Sequence, residues 1–143
     1  MKRKLLIAFA ILLTAVALAI AAAPPKAGYV YVISNIGSFG PDVYKVGYTQ
    51  RKPEDRIKEL GDSSVPFPFD IHVVIETDDV LGLERAIHKD LDQYRVNKAN
   101  ARKEFFRCDL DIIVETIRRH HPDRFEVIRE PKATEWRGSK VIP

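Results

Sequence analysis

Few residue types in this chain can do chemistry, and they are unevenly placed. Cys108 is the only cysteine, which excludes an internal disulfide and any zinc cluster built on several thiolates. His72, His88, His120 and His121 show no spacing typical of a metal site, and they read as surface or hydrogen-bonded interior groups. Two basic clusters stand out. Residues 44 to 58 contain Lys45, Arg51, Lys52, Arg56 and Lys58, and residues 84 to 107 include Arg95, Lys98, Arg102, Lys103 and Arg107. The second set could follow a nucleic-acid backbone by charge alone; read plainly, it is a solvated loop. Helical spacing places Glu84 beside Leu83 and Ile87, at the edge of an apolar face, with His88 one turn on.

The overall charge does not favour a polyanion partner. Of a formal +3, all comes from Lys2, Arg3 and Lys4, because residues 1–23 contain no Asp or Glu. The remainder is balanced, so any nucleic-acid argument rests on the local clusters. Those first basic residues precede an apolar run from Leu5 to Ala23, broken only by Thr14. Basic end, apolar stretch and small residues before Pro24 are the order of a secretory signal. The run is also just long enough for a membrane anchor, since at about 1.5 Å per residue it nearly spans a bilayer core of about 30 Å. Either way the expectation is export, with the following domain outside the cytoplasm and a tether through residues 5–23 if the segment is retained.

The elements that must position the candidate residues can be read in turn. Gly28–Ile33 and Val43–Thr49 read as strands of an antiparallel hairpin, joined by a loop rich in turn residues from Ser34 to Asp42. Pro53 opens a helix, with Glu54 and Asp55 at its positive end, and Gly61 closes it. In a third strand Phe69, Ile71, Val73 and Ile75 alternate with Asp70, His72, Val74 and Glu76. Val80, Leu83, Ile87, Leu91 and Tyr94 form one apolar face of a second helix. Residues 95–103 read as a loop. Asp109 caps a third helix, stopped by Pro122. A short strand is expected around Phe125–Ile128, and a loose tail beyond Pro131. The whole predicts an α+β fold, a small three-stranded antiparallel sheet flanked by helices. The expected divisions are a signal or anchor at 1–23, a linker at 24–27, a domain at 28–120 and an extension at 121–143.

Six blocks in this order resemble the GIY-YIG endonuclease superfamily, and within it a branch of phage-type DNA-binding domains. Tyr29-Val30-Tyr31 stands where the superfamily has Gly-Ile-Tyr, and Lys45-Val46-Gly47 where it has Tyr-Ile-Gly. Tyr44-Lys45-Val46-Gly47-Tyr48-Thr49, Arg56, Val65-Pro66-Phe67-Pro68-Phe69, Leu83 to His88, Arg95-Val96-Asn97 and Glu104-Phe105-Phe106 match the branch. Lys45 replaces the second motif tyrosine, and Tyr48 follows the glycine directly.

The resemblance implies metal-dependent phosphodiester hydrolysis in DNA, with Tyr31, Lys45, Tyr48, Arg56 and Glu84 as the catalytic set. Glu84 would be the anchor for Mg²⁺ or another divalent cation; one carboxylate suits Mg²⁺, which keeps several waters and takes other ligands from phosphate. Arg56 would hold the phosphate. Tyr31 would hold or deprotonate the water, the latter only if a cation lowered its pKa from about 10. Tyr48 would orient water, and Lys45 would contact phosphate. Lys98, Arg102 and Lys103 are the candidate DNA-backbone contacts. Two alternatives stay open: a catalytically silent DNA-binding module, and an exported protein-binding module on the same fold.

Overall fold

Aromatic and β-branched residues, Tyr29, Val30, Tyr31, Val32 and Ile33, fill the middle of Gly28–Ser34, which forms β1, the strand on which the sheet is built. The computed structural model describes residues 24–62 and 64–142; the expected signal or anchor lies outside them. β1 pairs antiparallel with β2 (Val43–Thr49) on one side and β3 (Asp70–Thr77) on the other. A fourth strand, β4 (Phe105–Arg107), adds antiparallel to the outer edge of β2, giving the order β3-β1-β2-β4. The expectation of three strands is therefore corrected to four. With three residues, β4 is too short to show alternation, and pairing with Val43–Lys45 makes it a strand.

Each face of the sheet carries its own helices. Val30, Val32, Val46, Val73 and Ile75 meet Leu83 and Ile87 of α3 (Val80–Asp90), together with Leu110, Ile113, Val114 and Ile117 of α4 (Leu110–His120). Burying each such side chain contributes about 1.5–3 kcal/mol, so this face is the main core. On the opposite face Tyr31 and Ile33 pack against Ile57 of α2 (Pro53–Asp62). The side chain of Asp79 accepts from the Gly82 amide and fixes the start of α3; Asp109 does the same for α4 through Asp111. α3 ends at Asp90, and a 3-10 turn at Asp92–Tyr94 carries the last residue of the expected apolar face.

The pattern of β3 misleads in one respect. Pairing with β1 shifts between Val32 and Ile33, where Val32 faces Val73 but Ile33 faces Ile71. The bulge at His72 sends Ile71 to the α2 face and Val73 and Ile75 to the main core. His72 is buried there, donating from Nδ1 to the Ile128 carbonyl at 2.5 Å and accepting from the Ser34 hydroxyl at Nε2, 2.6 Å away. It is a satisfied interior histidine, as expected.

Three local expectations are overturned. The Ser34–Asp42 loop contains a one-turn helix, α1 (Ile36–Phe39), closed by Gly40 at φ +81°. Phe125–Ile128 forms no strand; it is tied to β3 by a single ladder-like bond, Ile128 N–H to the His72 carbonyl at 2.8 Å. The tail beyond Pro131 is not loose. It forms α5 (Thr134–Ser139), held by Ala133 N–H donating to Asp70, with Trp136 beside Gly37. Among the described residues no helix is long and apolar enough to cross a membrane.

Candidate active site

In the β1–β2 register, Tyr31 stands directly opposite Gly47. An added Cβ at Gly47 would lie 2.6 Å from the Tyr31 hydroxyl oxygen and 2.7 Å from Cζ. The glycine is thus what lets the Tyr31 ring lie across β2. Tyr31, Lys45, Tyr48, Thr49, Gln50, Arg51, Arg56 and Glu104 line an open, largely polar cleft of ≈ 410 Å³. Arg56 enters from α2. Its guanidinium approaches Glu59 at 3.4 Å, while Arg51 takes Glu59 with two short bonds of 2.8 and 2.6 Å. Arg51 therefore carries most of the Glu59 interaction, which holds the Glu59 carboxyl down at about 2. Arg56, partly exposed, keeps donors for another anion.

Glu104 joins the cleft to a second cluster. Lys45 Nζ donates to its Oε2 at 2.9 Å, so the lysine that replaces the motif tyrosine is engaged in fixing Glu104. Beside them lie Glu84 and His88 of α3. One ligating atom from each of Glu84, His88 and Glu104 falls within 4.8 Å of the other two. His88 donates from Nε2 to the Val46 carbonyl at 2.8 Å, which leaves Nδ1 with a lone pair, 3.9 Å from Glu84 Oε1. Oε2 of Glu84 is buried without a hydrogen-bond partner. An orphaned buried carboxylate oxygen costs about 1–3 kcal/mol or more, and it belongs to a carboxylate whose other oxygen, Oε1, stands beside His88. The donor set fits a divalent cation.

The electrostatics of the cluster follow from burial. Desolvation, then the neighbouring Glu104 charge, push the Glu84 carboxyl up to about 7, against a smaller pull from Lys45. Burial lowers His88, keeping its ring neutral. Tyr31 is pushed up to about 12 by burial, although the Arg56 guanidinium beside it pulls the other way. Without a bound cation, the Tyr31 hydroxyl is a neutral phenol. The Lys45 charge is spent on Glu104.

Of the sequence-derived candidates, Tyr31, Lys45, Tyr48 and Arg56 converge on the cleft, and Glu84 sits behind Glu104 in the adjoining cluster. Lys98, Arg102 and Lys103 do not line the cleft. They are exposed on the 95–104 loop, where Lys98 Nζ donates to the Gln93 carbonyl at 3.0 Å. That loop is built, not slack. Asn97 accepts from the amides of Ala99 and Asn100, Asn100 from that of Arg102, and Val96 N–H bonds the Phe105 carbonyl. Its effect is to deliver Glu104, whose carbonyl accepts from Val46 N–H at 3.1 Å. Sequence reasoning missed Glu104 and His88 as site members. The Glu-x-x-x-His spacing on α3 and the Glu-Phe-Phe block after the loop were the available signals.

An α+β domain with a polar cleft beside a buried carboxylate–imidazole cluster is the class that fold and site define. The T5orf172 domain family model matches residues 28–121, well over half of the chain, and the chain belongs to that family. The family is associated with phage endonuclease-type domains of GIY-YIG or HNH-like kind, consistent with a nuclease or DNA-binding role. No curated protein and no solved structure matches the chain.

Proposed function

We propose that this chain is an exported, divalent-metal-dependent DNA endonuclease of GIY-YIG type, with Mg²⁺ or another divalent cation anchored at Glu84. The observation that carries the reading is the buried, unpartnered Oε2 of Glu84, close to His88 and Glu104 and adjoining a cleft lined by Arg56, Tyr31 and Tyr48. When bound, a divalent cation would neutralise charge on the phosphoryl oxygens and assist the leaving oxygen. The protein's own groups divide the remaining tasks. Arg56 places its free guanidinium donors on the scissile phosphate and offsets charge that grows in the transition state. Tyr31 holds the attacking water by hydrogen bonding, and would act as its base only with the bound cation lowering the phenol's pKa. Tyr48, exposed at the cleft, orients water or the sugar-phosphate. Lys45 acts through Glu104, holding that carboxylate at the mouth of the cluster. Lys98, Arg102 and Lys103 bind the DNA backbone beyond the cleft. Export is carried by residues 1–23, as signal or anchor.

A second reading, a catalytically silent DNA-binding module, draws on the same facts. Lys45 is neutralised by Glu104, and Tyr31 is far from ionising. Plasmid nicking by the full-length chain in detergent micelles, with and without Mg²⁺ or Mn²⁺, separates the two. Metal-dependent conversion of supercoiled to open-circular DNA supports the enzyme. DNA binding with no cleavage under either metal supports the silent module.

A further inference from the structure

We propose that Glu84, His88 and Glu104 are three ligands of a single site for a first-row transition-metal dication, selected by an imidazole as well as by carboxylates. The proposal deepens the endonuclease reading, and rests on it for the metal's task.

Geometry is the first support. Ligand atoms bound at about 2.1 Å to one ion lie about 3 to 4.2 Å apart. Glu84 Oε1 and His88 Nδ1 are already 3.9 Å apart, and the full trio spans no more than 4.8 Å. On one ion no pair can exceed about 4.2 Å, so a pair at the 4.8 Å limit would close by about 0.6 Å or more. The second support is the Glu84 side chain itself: 8% exposed, it keeps one oxygen with no partner. A structural glutamate buried to that degree would be paired or hydrogen-bonded at both oxygens.

The third support is the orientation of the other two groups. His88 is held by a backbone carbonyl at Nε2, the outer-shell arrangement that fixes the tautomer of a ligating histidine and leaves Nδ1 to coordinate. That carbonyl belongs to Val46, whose N–H also bonds the Glu104 carbonyl. One residue on the edge of β2 thus orients two ligands from distant parts of the chain. Lys45 fixes Glu104 Oε2, and a carboxylate so held can still ligate through its other oxygen. An imidazole in the set favours Mn²⁺, Fe²⁺, Co²⁺ or Zn²⁺ over Mg²⁺, which prefers oxygen alone. His88 is therefore the residue that sets metal preference, and Glu104 the one that completes the site.

The test is Mn²⁺ binding by the untagged full-length chain in detergent micelles without DNA, followed by loss of the free-Mn²⁺ paramagnetic resonance signal, with Mg²⁺ as competitor. One Mn²⁺ per chain is expected, displaced by Mg²⁺ only in large excess. Loss of an outer-shell partner alone weakens metal binding about 10–100-fold, so His88→Gln is expected to weaken Mn²⁺ by about 100-fold or more while narrowing its advantage over Mg²⁺. Glu104→Gln, which keeps the shape of the loop residue, is the second variant and is expected to weaken both ions with unchanged circular dichroism. Absence of Mn²⁺ binding without DNA, or wild-type Mn²⁺ affinity in folded His88→Gln or Glu104→Gln protein, would overturn the proposal. Mg²⁺-dependent nicking that survives either result would leave the endonuclease reading intact. Tight Mn²⁺ binding without DNA cleavage would remove that reading and keep the site.

Discussion

At position 47 a methyl group would meet the buried Tyr31 ring at 2.6 to 2.9 Å, distances that side chains do not tolerate without moving. Gly47→Ala is therefore expected to cost about 1–3 kcal/mol, the range for overpacking, and to displace the Tyr31 hydroxyl from the cleft. Tyr31→Phe removes the atom nearest the added methyl, so the double variant should lose less stability than the two single variants together. Chemical denaturation of the three proteins checks this; strict additivity would mean that the Tyr31 hydroxyl is not part of what the methyl meets. The same residues show how far the sequence can be read. Tyr31, Lys45, Arg56 and Glu84 are legible because each stands in a short block of fixed order. Glu104 stands in such a block too, but nothing in Glu-Phe-Phe says that Lys45, 59 positions away, will hold it. Such a pairing is created only by folding.

At the scale of elements, the hairpin, α2, α3 and α4 are legible from periodicity, caps and turn residues. The bulge at His72 is not, because Phe69, Ile71, Val73 and Ile75 read as one face although Ile71 and Val73 serve opposite cores. That bulge has a measurable signature. Burial lowers the His72 pKa, whereas an unfolded imidazole titrates near about 6.5. Below that value the unfolded state takes up a proton that the folded state refuses, so the stabilisation from neutral His72 is full at pH 8 and declines toward pH 5. The stability gap between wild type and His72→Gln should accordingly narrow on acidification; a gap that widens would contradict the assigned neutral state. Measuring a difference also cancels the opposing contribution of Glu84, whose raised pKa favours the folded state as pH falls. The 95–104 loop carries a separate prediction. With the chain outside residues 1–23 balanced in charge, DNA binding is expected to be weak and strongly salt-dependent. Changing Lys98, Arg102 and Lys103 to Glu should lower affinity and reduce the salt slope by about 0.9 for each phosphate no longer neutralised. An unchanged slope in fluorescence-anisotropy titrations would clear the loop of any role.

For the whole molecule, location and activity belong together. A nuclease free in the cytoplasm threatens its own genome, whereas the proposed export through Lys2-Arg3-Lys4 and the apolar stretch after it would bring the protein to other DNA. Fractionation of cells making the C-terminally tagged chain should give either a soluble extracytoplasmic form about 2 kDa short of full length or full-length protein in membranes. Full-length protein in the cytosol would contradict export. Glu84 is proposed to anchor the metal on which cleavage depends, and one paired measurement tests it. Full-length wild type and Glu84→Gln are assayed on the same plasmid, for nicking with Mn²⁺ or Mg²⁺ and for DNA affinity without metal. The expected result is metal-dependent nicking by wild type and none by the variant, with DNA affinity and thermal stability nearly unchanged. Glu84→Gln protein that nicks as fast as wild type would contradict the account.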